Sequence, residues 1–124
     1  MSKNTNDNQE IVVGLIKGRH PLPVDEYIFN SDIEDVHNYT EINQHISKFI
    51  CEHVGIEAGT GQPLNINEYG DYPIFVGKKP LIVYVTGLTP VTAELIRICA
   101  YNGVSLSLMN FDISTGKYQR QDIF

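Results

Sequence analysis

The sequence is short of cysteine, of basic charge and of long apolar runs, and each shortage closes off a class of protein. Two cysteines in 124 residues, Cys51 and Cys99, cannot build a disulfide scaffold. Both fall on the apolar faces of predicted helices, which marks them as reduced core residues and points to a cytoplasmic protein. No apolar run approaches the roughly 18–20 residues of a membrane span, and the polar start lacks the features of a signal peptide, so no membrane partner is expected. Nine basic residues against fifteen acidic ones give a net charge of −6. Long duplex nucleic acid is therefore disfavoured, because its affinity comes from Lys and Arg neutralising phosphates. A small anionic ligand remains compatible, since a pocket can be locally positive on an acidic protein. There is no internal repeat and no coiled-coil heptad.

What is present suffices for one domain. A chain of this length buries on the order of 65–68% of its unfolded surface without help from disulfides. Residues 1–9 are polar and Asn-rich and read as a loose tail; residues 10–124 read as a single α/β domain.

The organising stretch is Leu81-Ile82-Val83-Tyr84-Val85-Thr86-Gly87-Leu88-Thr89-Pro90. Its first five residues form an unbroken apolar, β-branched run suited to a buried strand of a largely parallel sheet. Thr89 is then the expected N-cap and Pro90 the first helical residue, with Val91, Leu95, Ile98 and Cys99 on one face and Asn102-Gly103 as the stop. A strand turning tightly into a helix in this way aims free N–H groups and the positive end of the helix dipole at one point, an anion site. The same residues also describe an ordinary capped βα turn.

Residues 11–16 read as a second buried strand, broken by Gly18, Pro21 and Pro23, and 24–29 as an edge strand or irregular segment. The run 32–37 is acidic and solvated. Asn38 with Glu41 begins a helix whose face is Ile42, Ile46, Phe49, Ile50 and Val54, and Gly55 ends it. Residues 55–70 are expected to be a long loop and 72–76 a short strand. The run 105–111 alternates with period two, 112–117 turns, and 118–124 returns as an antiparallel strand. The fold class that follows is a Rossmann-like open sheet, largely parallel, with flanking helices and a C-terminal β-hairpin.

In such a sheet ligands collect outside the carboxyl ends of the parallel strands. Two loops qualify, Gly18-Arg19-His20-Pro21 and Thr86-Gly87-Leu88-Thr89, and they share an edge if their strands are neighbours. Arg19 offers a planar fork for a phosphate and His20 an acid or base near neutral pH. Arg19 could equally pair with Asp25 and Glu26, and His20 could be a strand-end residue held extended by Pro21. His45 and His53, eight residues apart, lack further ligands at a zinc spacing, and Gly59-Thr60-Gly61 lacks the Gly-Lys-Ser/Thr ending of a phosphate loop. Glu94, Arg97 and Tyr101 face away from the core, toward solvent or a second subunit.

The segment 83–90, with its helix and the next strand, resembles the strand-Thr-Gly-Gly-Thr-Lys-helix signature of CRISPR-associated Rossmann-fold (CARF) domains. Arg19-His20-Pro21 is similar to an Arg-His-Pro loop of the smallest stand-alone members, which are associated with ring nuclease activity. The match covers residues 11–23 and 81–111. It implies a homodimer whose strand-end loops form one pocket for a cyclic oligoadenylate, with no cofactor or metal. It further implies that Gly18, Thr86, Gly87, Leu88 and Thr89 bind the ligand, while Arg19 and His20 would be catalytic. Cleavage in that family is attack of a ribose 2′-OH on the adjacent phosphate, leaving a 2′,3′-cyclic phosphate. Leu88 stands where the family has a second glycine and Pro90 where it has Lys, so one phosphate partner is missing. Arg97, Lys117 and Arg120 are the cations that could replace it. Two other functions fit the same residues: a non-catalytic protein that sequesters the signal, and a protein-binding module acting through its acidic surface.

Overall fold

The computed structural model describes residues 9–18, 21–58 and 75–124. Strand β1 (Ile11–Ile16) lies between β2 (Tyr27–Phe29) and β5 (Leu81–Tyr84), both parallel to it. Strand β6 (Leu106–Asp112) extends the parallel set beside β5, and β7 (Lys117–Asp122) folds back antiparallel on β6. The five-stranded order is thus β2-β1-β5-β6-β7, a mostly parallel, mixed, Rossmann-like α/β sheet with its C-terminal hairpin. A separate antiparallel pair joins β3 (Ile56–Ala58) to β4 (Phe75–Gly77).

Helix α1 (Tyr39–Phe49) follows β2, and helix α2 (Thr89–Tyr101) connects β5 to β6. Both crossovers, β2 to β5 and β5 to β6, advance in the same direction across the sheet. With right-handed connections they place both helices on one face, and α1 indeed packs on α2. That face holds the core: Val13 and Leu15 from β1, Leu81 and Val83 from β5, Leu106 and Leu108 from β6, against Ile42, Ile46, Val91, Leu95 and Cys99 from the helices. The alternate strand residues Val12, Gly14, Ile82, Tyr84, Ser107 and Met109 point to the opposite face, which carries no helix among the described residues.

Helix α1 begins as expected, with the Asn38 side chain accepting from the Glu41 amide at 3.2 Å and donating from Nδ2 to the Glu41 carboxylate at 3.2 Å. Its end differs. Ile50–Val54 widens to a π-helix, closed by the Gly55 amide donating to the Ile50 carbonyl at 2.9 Å, and Gly55 takes φ 80°. Ile50 and Val54 stay in the core through this turn, while Cys51, about 180° around the helix from Ile42, lies on the outer side. Cys51 is therefore exposed, not a core residue, whereas Cys99 is buried as expected. Residues 56–58, expected to be loop, are strand β3, because they find a partner in β4 that no local pattern announces. Of the short strand expected over 72–76, the described part is β4, starting at Phe75; residues 59–70 of the expected loop lie outside the described residues. No helix among the described residues is long and apolar enough to cross a membrane.

Candidate functional site

The direction of chain travel reverses between β1 and β5. From β1 the chain moves outward to β2; from β5 it moves the other way to β6. Where two neighbouring parallel strands send their connections in opposite directions, the loops part and leave a crevice at the carboxyl edge. The register pairs Gly14 with Tyr84, so the residues following β1 and β5 run side by side into that crevice. The described starts of the two candidate loops, at Gly18 and Thr86-Gly87, therefore leave neighbouring strands at the same edge of the sheet.

Each loop turns at a glycine. Gly18 has φ 97° and Gly87 φ 88°, and among the described residues no heavy atom stands within 4 Å of where a Cβ would be at either. The backbone is thus bare toward solvent at both positions, and a side chain there would be strained. Thr86, between β5 and Gly87, is 8% exposed, and its hydroxyl is buried with no hydrogen-bond partner among the described residues. A buried hydroxyl without a partner is uncommon in native proteins.

Helix α2 starts one residue earlier than expected. Leu88, at φ −82° and ψ 93°, is the N-cap; Thr89 is already helical, and Pro90 lies in the first turn. Leu88 has no side-chain oxygen, so no side chain caps the helix; it half-buries itself against the core instead. The first intrahelical bond is Thr92 N–H to Leu88 C=O at 3.0 Å, which leaves the Thr89 and Val91 amides without partners inside the helix. Apolar anchoring of Leu88 thus replaces capping, and among the described residues no side chain caps the positive end of the 13-residue helix. Arg19 and His20 lie outside the described residues; their neighbours Lys17 and Gly18 are exposed at the edge.

Charge along this edge is mixed. Lys17 follows β1, and Lys117 stands opposite Asp112 where β6 passes into β7, at the same end of the sheet. The Asp112 carboxyl is held below its ordinary value by the Ser114 hydroxyl, which donates to it at 2.6 Å, so it stays ionised. Beyond β2, a surface cavity of about 480 Å³ is lined by Asp32, Glu34, Asp35 and Glu41 together with Phe29 and His45. These carboxylates follow the carboxyl end of β2, so the β2 side of the edge is acidic. The run 32–37, read as merely solvated, forms part of this depression.

The remaining candidates separate. Arg97 pairs with Glu94 at 3.3 Å; Glu94, expected to face solvent or a second subunit, is only 13% exposed and turns toward α1, where Asn43 donates to it at 3.3 Å. Arg97 belongs to the groove between the helices, away from the crevice. Arg120 lies opposite Met109 and is engaged by Asp122 at 2.8 Å. His45 stacks on Phe29 and is 2.7 Å from the Ile28 carbonyl; His53 stacks on Phe49. No group of three or more His, Cys, Asp or Glu among the described residues could hold a metal ion.

One cluster escaped the sequence reading. Tyr118 of β7 meets Tyr84 edge-on with ring centroids 4.8 Å apart and Phe111 of β6 at 5.3 Å. Period-two alternation places Tyr84 and Phe111 on their strands' helix-free side, but only the register brings Tyr118 between them.

No family model matches the chain, and neither a curated protein nor a solved structure matches it.

Proposed function

We propose that this protein binds a small phosphate-bearing nucleotide, of the cyclic oligoadenylate type, in the crevice between β1 and β5. The observation that carries the reading is the pairing of two bare, positive-φ glycines, Gly18 and Gly87, on adjacent loops. Glycine at such points lets a phosphate approach the backbone amides closely, and the uncapped start of α2 adds donors and a favourable dipole. The CARF-like signature over 83–90 narrows the anion to a cyclic oligoadenylate and adds a homodimer that would join two crevices into one pocket. Binding is the activity these features favour; cleavage would rest on Arg19 and His20, with Arg19 stabilising phosphoryl charge and His20 handling a proton.

The test is thermal denaturation with cyclic tri-, tetra- and hexa-adenylate, followed by chromatography of the recovered ligand. A ligand at a hundredfold excess over its Kd raises Tm by about 10 °C for a domain of this size. Intact ligand after denaturation identifies sequestration, and a linear product ending in a 2′,3′-cyclic phosphate identifies a ring nuclease. No shift with any of the three removes the proposal. Light scattering with and without ligand tests the dimer.

A further inference from the structure

The helix-free sheet face carries, at its carboxyl corner, three rings that do not stack on one another. Tyr118 stands edge-on between Tyr84 and Phe111, at interplanar angles of 78° and 66°. In each such contact the edge of one ring meets one face of the other, so a ring with a single contact keeps a second π-face free of its partner. Phe111, one residue from the end of β6, is 51% exposed, and Met109 on the same face is half-buried. The corner adjoins the crevice directly. The Val85 amide donates to the Met109 carbonyl at 3.2 Å, so the chain leaving β5 stays alongside β6, bringing Thr86 next to the segment that carries Phe111.

We infer that the Tyr84–Tyr118–Phe111 corner is the base subsite of the nucleotide whose phosphate lies at Gly87, with the base stacked on the Phe111 ring. The inference rests on the proposed function and goes beyond it by giving the base a place. The occupant is a single base, not a nucleic-acid strand. Among the described residues the cation on this face near the rings, Arg120, is engaged by Asp122, so they show no track of free positive charge across the sheet to follow a phosphate backbone. Aromatic stacking accepts any base, whereas the adjoining cradle accepts only a phosphate, so the two subsites together select a nucleotide over either fragment.

The experiment uses the whole chain and two probes, cyclic tetra-adenylate and inorganic tripolyphosphate, measured by calorimetry. Phe111→Ala weakens cyclic tetra-adenylate at least about fivefold and leaves tripolyphosphate unchanged. Phe111→Trp retains affinity and introduces the only tryptophan of the chain, whose fluorescence is quenched by a stacked adenine. Ile113→Ala, removing an 88% exposed side chain in the hairpin turn, changes neither probe. Urea denaturation of each variant shows that the fold is kept. If wild type binds cyclic tetra-adenylate while Phe111→Ala binds it equally well and Phe111→Trp is not quenched, the base subsite is overturned and the phosphate cradle stands. If wild type binds neither probe, both are overturned.

Discussion

Gly14 of β1 lies against the ring of Tyr27 of β2: a Cβ built on Gly14 would stand 2.6 Å from the ring's Cδ2 and Cε2 and 2.9 Å from a methyl of Leu22. The two residues are also register partners in the parallel ladder. The glycine is thus required by space and not by backbone angle, because the ring folds across the strand it pairs with. Gly14→Ala should destabilise the fold by about 1–3 kcal/mol through overpacking, read as a lower urea midpoint at unchanged m-value. A stability within error of wild type would show that Tyr27 moves aside freely.

Gly87 and Gly116 are a matched pair for testing the proposed phosphate cradle. Both have positive φ, 88° and 71°, and at neither is there an atom within 4 Å of a built Cβ among the described residues. Gly87→Ala and Gly116→Ala should each cost about 1–2 kcal/mol of stability, the strain of a left-handed L-residue. Only Gly87→Ala should also reduce nucleotide affinity, by tenfold or more, because only there would the methyl stand over the phosphate cradle. Equal affinities in a titration of the two variants would remove Gly87 from the site.

The two cysteines should differ sharply toward a thiol reagent. Cys51 is exposed on the π-helical turn, whereas burial pushes the Cys99 thiol up to about 12. One thiol per chain should react in native buffer and two in denaturant. Two fast thiols under native conditions would contradict both the burial of Cys99 and the packing of α2.

Asp122 links the terminal strand to β6. Its carboxylate accepts from the Ser107 hydroxyl at 2.6 Å and from Arg120 Nε at 2.8 Å, and these two bonds, Ser107 first, hold its pKa below the ordinary 3.8. A depressed carboxyl contributes stability that is present above the unfolded value, near 3.8, and lost as pH falls through the folded value. Ser107→Ala should raise the Asp122 pKa toward 3.8 and flatten the fall in stability below about pH 4, because the folded and unfolded values then lie closer together. Carboxyl NMR titration of both proteins checks the shift, and an unmoved Asp122 would assign the depression to Arg120 alone.

Much of the local structure was legible without coordinates. The β-branched runs announced β1 and β5, the Asn38–Glu41 pair announced the start of α1, and period two announced β6 with its returning partner. These signals are local: burial on both faces, a cap reaching three residues on, and alternation about a sheet leave marks within ten residues. The start of α2 was misplaced by one residue because Thr89 has the better capping side chain. Leu88 holds the cap position instead, since its side chain is needed against the core.

What the sequence alone determined is that two apolar strand runs each lead into a glycine, Gly18 and Gly87. It could not determine that those strands are neighbours, that both helices share one face, or that Tyr118 joins Tyr84 and Phe111 on the other. Those decisions belong to the tertiary structure. Strand order is set by crossover direction, helix placement by the handedness of connections, and cross-strand ring contacts by register. None of the three is encoded by any window of residues shorter than the distance between the strands it joins.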